Sequence, residues 1–187
     1  MYFTHDTEVA LVEAVALVNT KHDDGVDELA DRAGLVEFLR QHPFSGGLLD
    51  TEEELAEVRR LRDRIRPLWD AAGRTEAADL VNALLRDTDA RPYVIAHDGY
   101  DWHLHVTGLD APLAHRMGGE AAMGFLDLIR NDDLARLKVC AADDCASVLV
   151  DLTRNSSKRF CDTGNCANRA HVAAYRARKR AGTDPAG

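Results

Sequence analysis

The chain contains the segment VCAADDCASVLVDLTRNSSKRFCDTGNCANRAHVAAYRARKR at residues 139–180, and all four of its cysteines lie there. They form two C-x4-C pairs, Cys140/Cys145 and Cys161/Cys166. Thiols gathered in one short window, with none in the long remainder, indicate that the four act together. A shared metal ion or a pair of disulfides would explain the pattern, and four unrelated buried cysteines are the third interpretation.

A bound metal ion is favoured because the N-terminus does not resemble a secretory signal. Residues 1–7 contain no basic segment, and no apolar segment follows them. We therefore expect a cytoplasmic protein whose thiols stay reduced. Four thiolates suit Zn²⁺, which takes sulfur ligands in a closed tetrahedron at structural sites. The sequence thus predicts a Zn²⁺ cofactor with Cys140, Cys145, Cys161 and Cys166 as its ligands.

The residues between and after the pairs predict how such a site is built. Ser147–Asp151 is a short run with strand propensity, and Thr153–Ser157 is a cluster of turn formers. After Cys166 the chain has no glycine or proline through Arg180, so a basic helix is expected there. The prediction is a short strand, a loop and a helix, with Cys166 on the first helical turn, where the helix dipole favours thiolate.

Three parts of this segment together resemble the CGNR zinc finger. They are Cys140-x4-Cys145, the run D-x-T-x-N-x-S-K-R-F-C that ends at Cys161, and the residues C-A-N-R that begin at Cys166. Ala167 stands in place of the glycine of that family, and Phe160 stands where tryptophan is common. The alanine predicts an ordinary helical position without a positive φ.

The resemblance extends, less specifically, to the ABATE domain that this family joins to the finger. It rests on Asn19-Thr20, Trp102-His103 and the lead-in Leu137–Cys140. The resemblance implies a stress-induced transcription regulator. We place the boundary near Leu137, where the sign of the charge changes, so that an ABATE-like domain over residues 1–136, which binds an effector or dimerises, precedes a finger over residues 137–187.

Charge is distributed unevenly along the chain, whose net charge is −9. From Cys140 onward there are eight basic and five acidic residues, a net of +3, which leaves −12 for residues 1–139. An acidic body with a basic appendage is expected when the appendage alone meets a polyanion such as DNA. The alternative is a basic tail that docks on its own acidic body. No run approaches the roughly 18 apolar residues of a membrane span, so no membrane partner is expected.

The body is predicted to be mostly helical, so that the whole chain belongs to the α+β class, mostly α. Its 45% apolar residues suffice for a packed core. Thr51 with Glu54 forms a capping-box pattern at the start of one helix. A β-hairpin is expected over residues 92–106 around Asp98-Gly99, with Ile95 opposite Trp102. The predicted helices are Thr7–Asn19, Asp27–Gln41, one from Thr51 with an apolar stripe to Trp69, Thr75–Arg86 and one from Asp110 towards Ile129.

Two sets of basic residues call for different interpretations. The arginines of residues 59–66 alternate with an apolar stripe and with carboxylates, so we interpret them as a solvated helix face. Those of the finger are interpreted as contacts to DNA, either to phosphates or in the major groove. The predicted nucleic-acid contacts are Arg154, Asn155, Lys158, Arg159, Asn168, Arg169, Arg176, Arg178, Lys179 and Arg180.

Several alternatives stay open for the finger. Four thiolates around Zn²⁺ carry a formal charge of −2, and Lys158, Arg159 and Arg169 are close enough in sequence to compensate it. A protein-interaction or RNA-binding module would use similar residues. Because one small module makes few phosphate contacts, tight DNA binding would require a homodimer.

The hairpin carries a second, weaker candidate site. His103 and His105 alternate along one strand, with His97 and Asp101 nearby, and this pattern suits either a metal or solvent-facing histidines. A small-molecule effector site would place Tyr93 and Trp102 beside these histidines. Catalysis is not expected, because the sequence lacks the G-x-S-x-G, P-loop and dinucleotide-binding glycine motifs.

Overall fold

The structure is a computed structural model that describes residues 3–96 and 102–180. Two antiparallel pairs of short strands accompany the helices of this part of the chain, and the predicted α+β, mostly α class is confirmed. The helices are α1 His5–Asn19, α2 Arg32–Gln41, α3 Glu52–Ile65, α4 Arg74–Asp87, α5 Leu113–Arg130 and α6 Cys166–Arg180. The strands are β1 Tyr93–Ile95, β2 His103–His105, β3 Leu137–Val139 and β4 Val148–Val150.

Helix α5 lies at the centre of the body, where it packs against α1, α3 and α4. Its Phe125 and Leu128 are fully buried, and Phe125 meets Trp69 edge to face with 5.4 Å between ring centroids. Small residues let the neighbours approach, since a Cβ on Gly118 would lie 2.9 Å from the Leu61 side chain. The core of the body therefore depends on α5 contacting three other helices.

The helix boundaries follow polar caps. Thr4 caps α1, so this helix begins two residues before the predicted Thr7. Helix α2 begins at Arg32 and not at Asp27, because Asp31 accepts a hydrogen bond from the Gly34 N–H and fixes the start there. The predicted helix over Asp27–Gln41 is therefore wrong in its first five residues.

The predicted cap of α3 is confirmed in one half. The Glu54 N–H donates to Thr51 Oγ1 at 3.2 Å. The Glu54 carboxylate, however, accepts from the N–H groups of Leu49 and Asp50, so it holds the preceding loop. At the other end Pro67 follows the last α-helical residue, Ile65, and the chain continues as one 3-10 turn over Arg66–Trp69.

One arginine of α3 departs from the predicted solvated face. Arg62 exposes only 4% of its surface and donates to both carboxylate oxygens of Asp27, at 2.6 and 2.8 Å, and to Thr20 Oγ1 at 3.0 Å. Arg60 on the same helix does extend into solvent, with a side chain 65% exposed. The prediction is therefore wrong for Arg62, because this side chain ties α3 to the loop between α1 and α2.

The hairpin pairs its strands one residue away from the predicted register. Ile95 lies opposite His103, and Tyr93 lies opposite His105. The predicted pairing of Ile95 with Trp102 is wrong, and a shift by one residue exchanges the two faces of a strand. His105 is consequently buried, whereas Trp102 is 72% exposed. The predicted Asp98-Gly99 turn, with His97 and Asp101, lies outside the described residues.

The second strand pair joins the finger to the body. Strand β3 pairs with β4 in antiparallel register, with Val139 opposite Val148. Asn19, at the end of α1, donates to the Val148 carbonyl at 2.9 Å and accepts from the Val148 N–H at 2.8 Å. Trp69 donates to the Leu149 carbonyl at 2.9 Å. Val148 and Val150 lie in the same core as the body helices, and the division at residue 136 stays a prediction.

No helix in the described part of the chain combines the length and apolar character needed to cross a membrane.

Candidate metal centre and nucleic-acid interface

Three pieces of chain deliver the four cysteines to one place. Cys140 follows β3 directly, and a tight turn leads to Cys145, whose N–H donates to the Ala142 carbonyl at 3.1 Å. Cys161 ends the loop after β4. Cys166 is the first residue of α6, as predicted, and Asn165 before it has a φ of 52°, a left-handed conformation that asparagine tolerates.

The four sulfur atoms all lie within 4.8 Å of one another. Cys161 Sγ is 3.7 Å from both Cys145 Sγ and Cys166 Sγ. A tetrahedron with Zn–S bonds of about 2.3 Å has edges of about 3.8 Å. All four cysteines are free thiols, so disulfides are not formed. Within residues 3–96 and 102–180 no other cluster of metal-ligand residues has this geometry, and the donor set fits Zn²⁺.

Without a cation, the surroundings of the cluster shift the pKa values of Cys161 and Cys166 in opposite directions. Burial raises the pKa of Cys161, but N–H groups of Gly164 and Thr163 and the neighbouring thiols together lower it to about 7. Arg169 lowers the pKa of Cys166, yet burial and the three other thiols outweigh it and raise that pKa to about 12. The pKa values of Cys161 and Cys166 thus move in opposite directions, and a divalent cation at the centre of the cluster would favour the thiolate form of its ligands.

Arg169 contacts the cysteine cluster from the surface of α6. Its guanidinium donates to Cys166 Sγ at 3.1 Å and to Asp144 at 2.5 Å. The same residue therefore offsets thiolate charge and fastens the start of α6 to the turn that carries Cys145. Of the two roles considered for Arg169, these contacts support charge compensation.

Asp151 organises the loop between the cysteine pairs, although the sequence did not mark it as a site residue. Its carboxylate is fully buried and accepts from Lys138 Nζ at 2.6 Å, Thr153 Oγ1 at 2.5 Å and the Lys158 N–H at 2.7 Å. Burial raises the pKa of Asp151, but these donors outweigh it and lower the pKa to about 2. The signal was the D-x-T spacing, which is typical of an Asx turn.

The basic helix α6 extends away from the rest of the chain. Within the part of the chain that the structure describes, Cys166 is the buried residue of this helix, and Ala170 is half-buried. Ala167 lies inside the helix without a positive φ, as predicted. The exposed side chains that were predicted to contact nucleic acid on this helix are Asn168, Arg169, Arg176, Arg178, Lys179 and Arg180.

The predicted nucleic-acid contacts of the loop before Cys161 lie on the same finger, and three of them already contact other residues of it. Lys158 Nζ bonds Asp162 at 2.6 Å, and Asn155 Oδ1 accepts from Ser157 Oγ at 2.8 Å. The Arg159 guanidinium lies 5.8 Å from the Phe160 ring centroid. Arg154 is exposed. These four residues therefore lie in the loop before Cys161, where Arg154, Asn155 and Arg159 are exposed and Lys158 is half-buried.

The hairpin candidates form a separate cluster. The Nε2 atoms of His103 and His105 are 3.0 Å apart, and Tyr93 lies against His105 with ring centroids 5.8 Å apart. Trp102 is mostly exposed, and the ligand-binding role of these four residues stays a prediction. Glu120, which the sequence did not single out, lies near them. Burial raises its pKa to about 7 although Arg116 and His103 oppose the shift.

The arrangement defines a class of protein, a helical body with a C-terminal four-cysteine zinc-finger-like module. Family models match accordingly. The CGNR zinc finger model covers residues 136–179, and the ABATE model, described as a putative stress-induced transcription regulator, covers residues 13–150. The second match spans more than half of the chain, so the chain belongs to the ABATE family, which confirms the resemblance. The matches overlap over β3 and β4. No curated protein matches the chain.

Proposed function

We propose that the chain is a DNA-binding transcription regulator in which the zinc-anchored helix α6 lies along the phosphate backbone or enters the major groove. The supporting observation is the position of α6. Its first residue, Cys166, is buried, all later residues except the half-buried Ala170 are exposed, and its last turn carries three consecutive cations, Arg178, Lys179 and Arg180. No catalytic role is part of the proposal.

The distribution of charge supports the same assignment. Arg176 and Arg180 are four residues apart and therefore share one face of α6, and Arg169 lies on that face about two turns before Arg176. The body that carries the finger has a net charge of −12 over residues 1–139, so it repels a polyanion overall, whereas the basic appendage attracts one. In this proposal Arg176 and Arg180 contact phosphates, whereas Arg169 and Lys158 position the module through their bonds to Cys166, Asp144 and Asp162.

The body completes the proposal as the part that dimerises and senses an effector. A single helix makes few phosphate contacts, so high affinity would come from two copies on two half-sites. The family description as a transcription regulator supports this division of labour. RNA and protein partners are the competing occupants of the same basic surface.

The first test measures DNA affinity of the zinc-loaded protein by fluorescence anisotropy at low and moderate salt. We expect affinity to fall steeply with salt, since Lys and Arg contacts release counterions from the duplex. The double variant Arg176→Ala/Arg180→Ala removes two phosphate contacts, so the slope of log K against log salt falls by about 2.

A matched control removes the same charge elsewhere. Arg60→Ala/Arg130→Ala deletes two arginines of the body whose side chains are 65% and 74% exposed, and the DNA affinity of this variant should equal that of the wild type. Equal weakening by both double variants would reduce the effect to net charge and contradict a specific α6 interface. Stronger binding to structured RNA than to duplex DNA would favour the competing RNA-binding function.

A further inference from the structure

A groove lies between the body and the finger, and neither β1 nor β2 of the hairpin, where the sequence suggested an effector site, lines it. It has a volume of about 1050 Å³. One wall is the face of α1 that carries Val12, Val15 and Ala16, and a second wall is α2 with Phe38 and Gln41. The third wall belongs to the finger, where β4 and the following loop contribute residues up to Thr163.

The floor of the groove suits a small molecule. Phe38, Val148 and Leu149 line it, yet each exposes no more than 5% of its surface. A protein partner would need about 800 Å² of accessible surface on this side. The recessed side chains of the floor contribute little of that accessible surface. Ligand pockets of proteins have volumes of about 300–1,000 Å³ and are lined mainly by apolar groups, which agrees with this groove.

The charges at the rim indicate that the ligand is neutral. Lys158 is paired with Asp162 at 2.6 Å, and the Glu37 carboxylate accepts from Arg40 at 2.7 Å and from the Gln41 amide at 2.6 Å. The remaining titratable groups of the lining, Glu28 and His42, are paired with His22 and Glu13. Each titratable group of the lining thus already has a hydrogen-bonded or ionic partner within the protein, so an ionic ligand would have to displace one of these partners.

We infer that this groove binds a neutral, largely apolar small molecule. Because Leu152, Lys158 and Asp162 of its third wall belong to the finger, occupancy holds the finger against the body. The inference rests on the proposed function only for its consequence, which is that the ligand is the effector of the DNA-binding module. Binding itself is a property of the groove.

Two nearly identical residues of α1 allow a matched test. Val12 lines the groove and is 45% exposed, whereas Val9 is 43% exposed on the same helix and does not line it. Nile red, a neutral apolar dye, serves as the probe and is titrated by fluorescence into the zinc-loaded protein. We expect one bound dye per chain in the wild type and in Val9→Trp. Val12→Trp fills part of the groove and should weaken binding about tenfold, or 1.4 kcal/mol.

The opposite wall offers a second pair of variants. Gln41 lines the groove from α2, and Val36 on the same helix is 45% exposed and outside it. Gln41→Trp should weaken dye binding as Val12→Trp does, while Val36→Trp should not. Circular dichroism and zinc content verify that all four variants are folded. Equal dye affinity in all variants, or no binding by the wild type, would overturn the inference.

DNA binding measured on the same samples separates the two proposals. Dye uptake that depends on Val12 and Gln41, without any DNA binding, would contradict the proposed function and leave the groove as a ligand site. DNA binding combined with dye uptake that does not depend on Val12 or Gln41 would support the proposed function and overturn the groove as the ligand site. A dimer that Val12→Trp dissociates, and that excludes the dye, would show that a second copy occupies the groove and would overturn the inference.

Discussion

At the scale of single residues, Arg62 shows how burial changes the role of a charge. Four of the five arginines of residues 59–66 follow the solvent-facing or half-buried pattern of their helix, but Arg62 lies under the loop that contains Asp27. Its bidentate contact with this carboxylate lowers the pKa of Asp27, mainly through the hydrogen bonds from Arg62. A guanidinium buried in this way is costly to leave without its partner.

Arg62→Ala is therefore expected to lower the free energy of unfolding by about 3–5 kcal/mol, because it leaves a carboxylate unpaired at a partly buried position. Chemical denaturation measures this loss. Arg60→Ala is the control, because Arg60 lies two residues earlier on the solvent-exposed side of the same helix. It should change the free energy of unfolding by less than about 0.5 kcal/mol. The difference between Arg62→Ala and wild type should shrink as the pH falls below 3.8, since protonated Asp27 no longer needs the cation.

A small effect of Arg62→Ala, similar to that of Arg60→Ala, would show that the ion pair contributes nothing beyond a surface pair. The sequence could not reveal this contact, because Asp27 and Arg62 are 35 positions apart and periodicity assigns a face only relative to its own helix. The cysteine cluster, in contrast, was predictable, since the C-x4-C spacing of both pairs within one short segment already favoured a shared metal site.

At the scale of elements, α6 depends on its first residue. Its 15 residues make no core contact beyond Cys166 and the half-buried Ala170 in the part of the chain that the structure describes. Isolated helices of this length are marginal in water. The metal centre and the Arg169–Asp144 pair are thus what fixes its first turn.

Zinc removal by a chelator is expected to melt α6 while α1 to α5 persist. Far-UV circular dichroism should lose helix signal in proportion to the share of α6 among the six helices, and added Zn²⁺ should restore it. The buried valines of β4 remain held by the body, so the near-UV signal of Trp69 should change little. An unchanged helix signal after complete zinc loss would contradict this dependence.

Elements with local signals were predictable and the hairpin register was not. The capping side chain of Thr51 predicted the start of α3, and the absence of glycine and proline after Cys166 predicted α6. The predicted register of β1 and β2 was wrong by one residue, because it was derived from a two-residue turn alone. Which strand face is buried depends on contacts from other elements, such as Asp6 accepting from the Leu104 N–H at 3.2 Å.

At the scale of the whole molecule, the body and the finger share one core. Val148 and Val150 lie in the cluster that also contains Leu11 and Phe125, and Asn19 fastens β4 to α1. The division predicted at residue 136 followed the change in charge, which reports on surface residues and not on packing. The metal centre itself was predictable as a unit because all its ligands are close in sequence.

A truncated chain that ends at residue 136 tests this shared core. It lacks β4 and should expose the apolar surface that Val148 and Val150 cover, with a loss of about 2–5 kcal/mol in the free energy of unfolding. A chain that ends at residue 152 retains β3 and β4 and should unfold as cooperatively as the full chain. Urea denaturation of both fragments decides the matter, and equal stability of the two would support an independent body over residues 1–136.

The amide of Asn19 has one more consequence, for how the molecule behaves in a crowded solution. A two-stranded ribbon leaves unpaired N–H and C=O groups along its outer side, and such groups recruit strands from neighbouring chains. Here the outer N–H and C=O of Val148 are both occupied by the Asn19 side chain. The body thereby blocks strand addition at this position of β4, a protection that a separately expressed finger would lack.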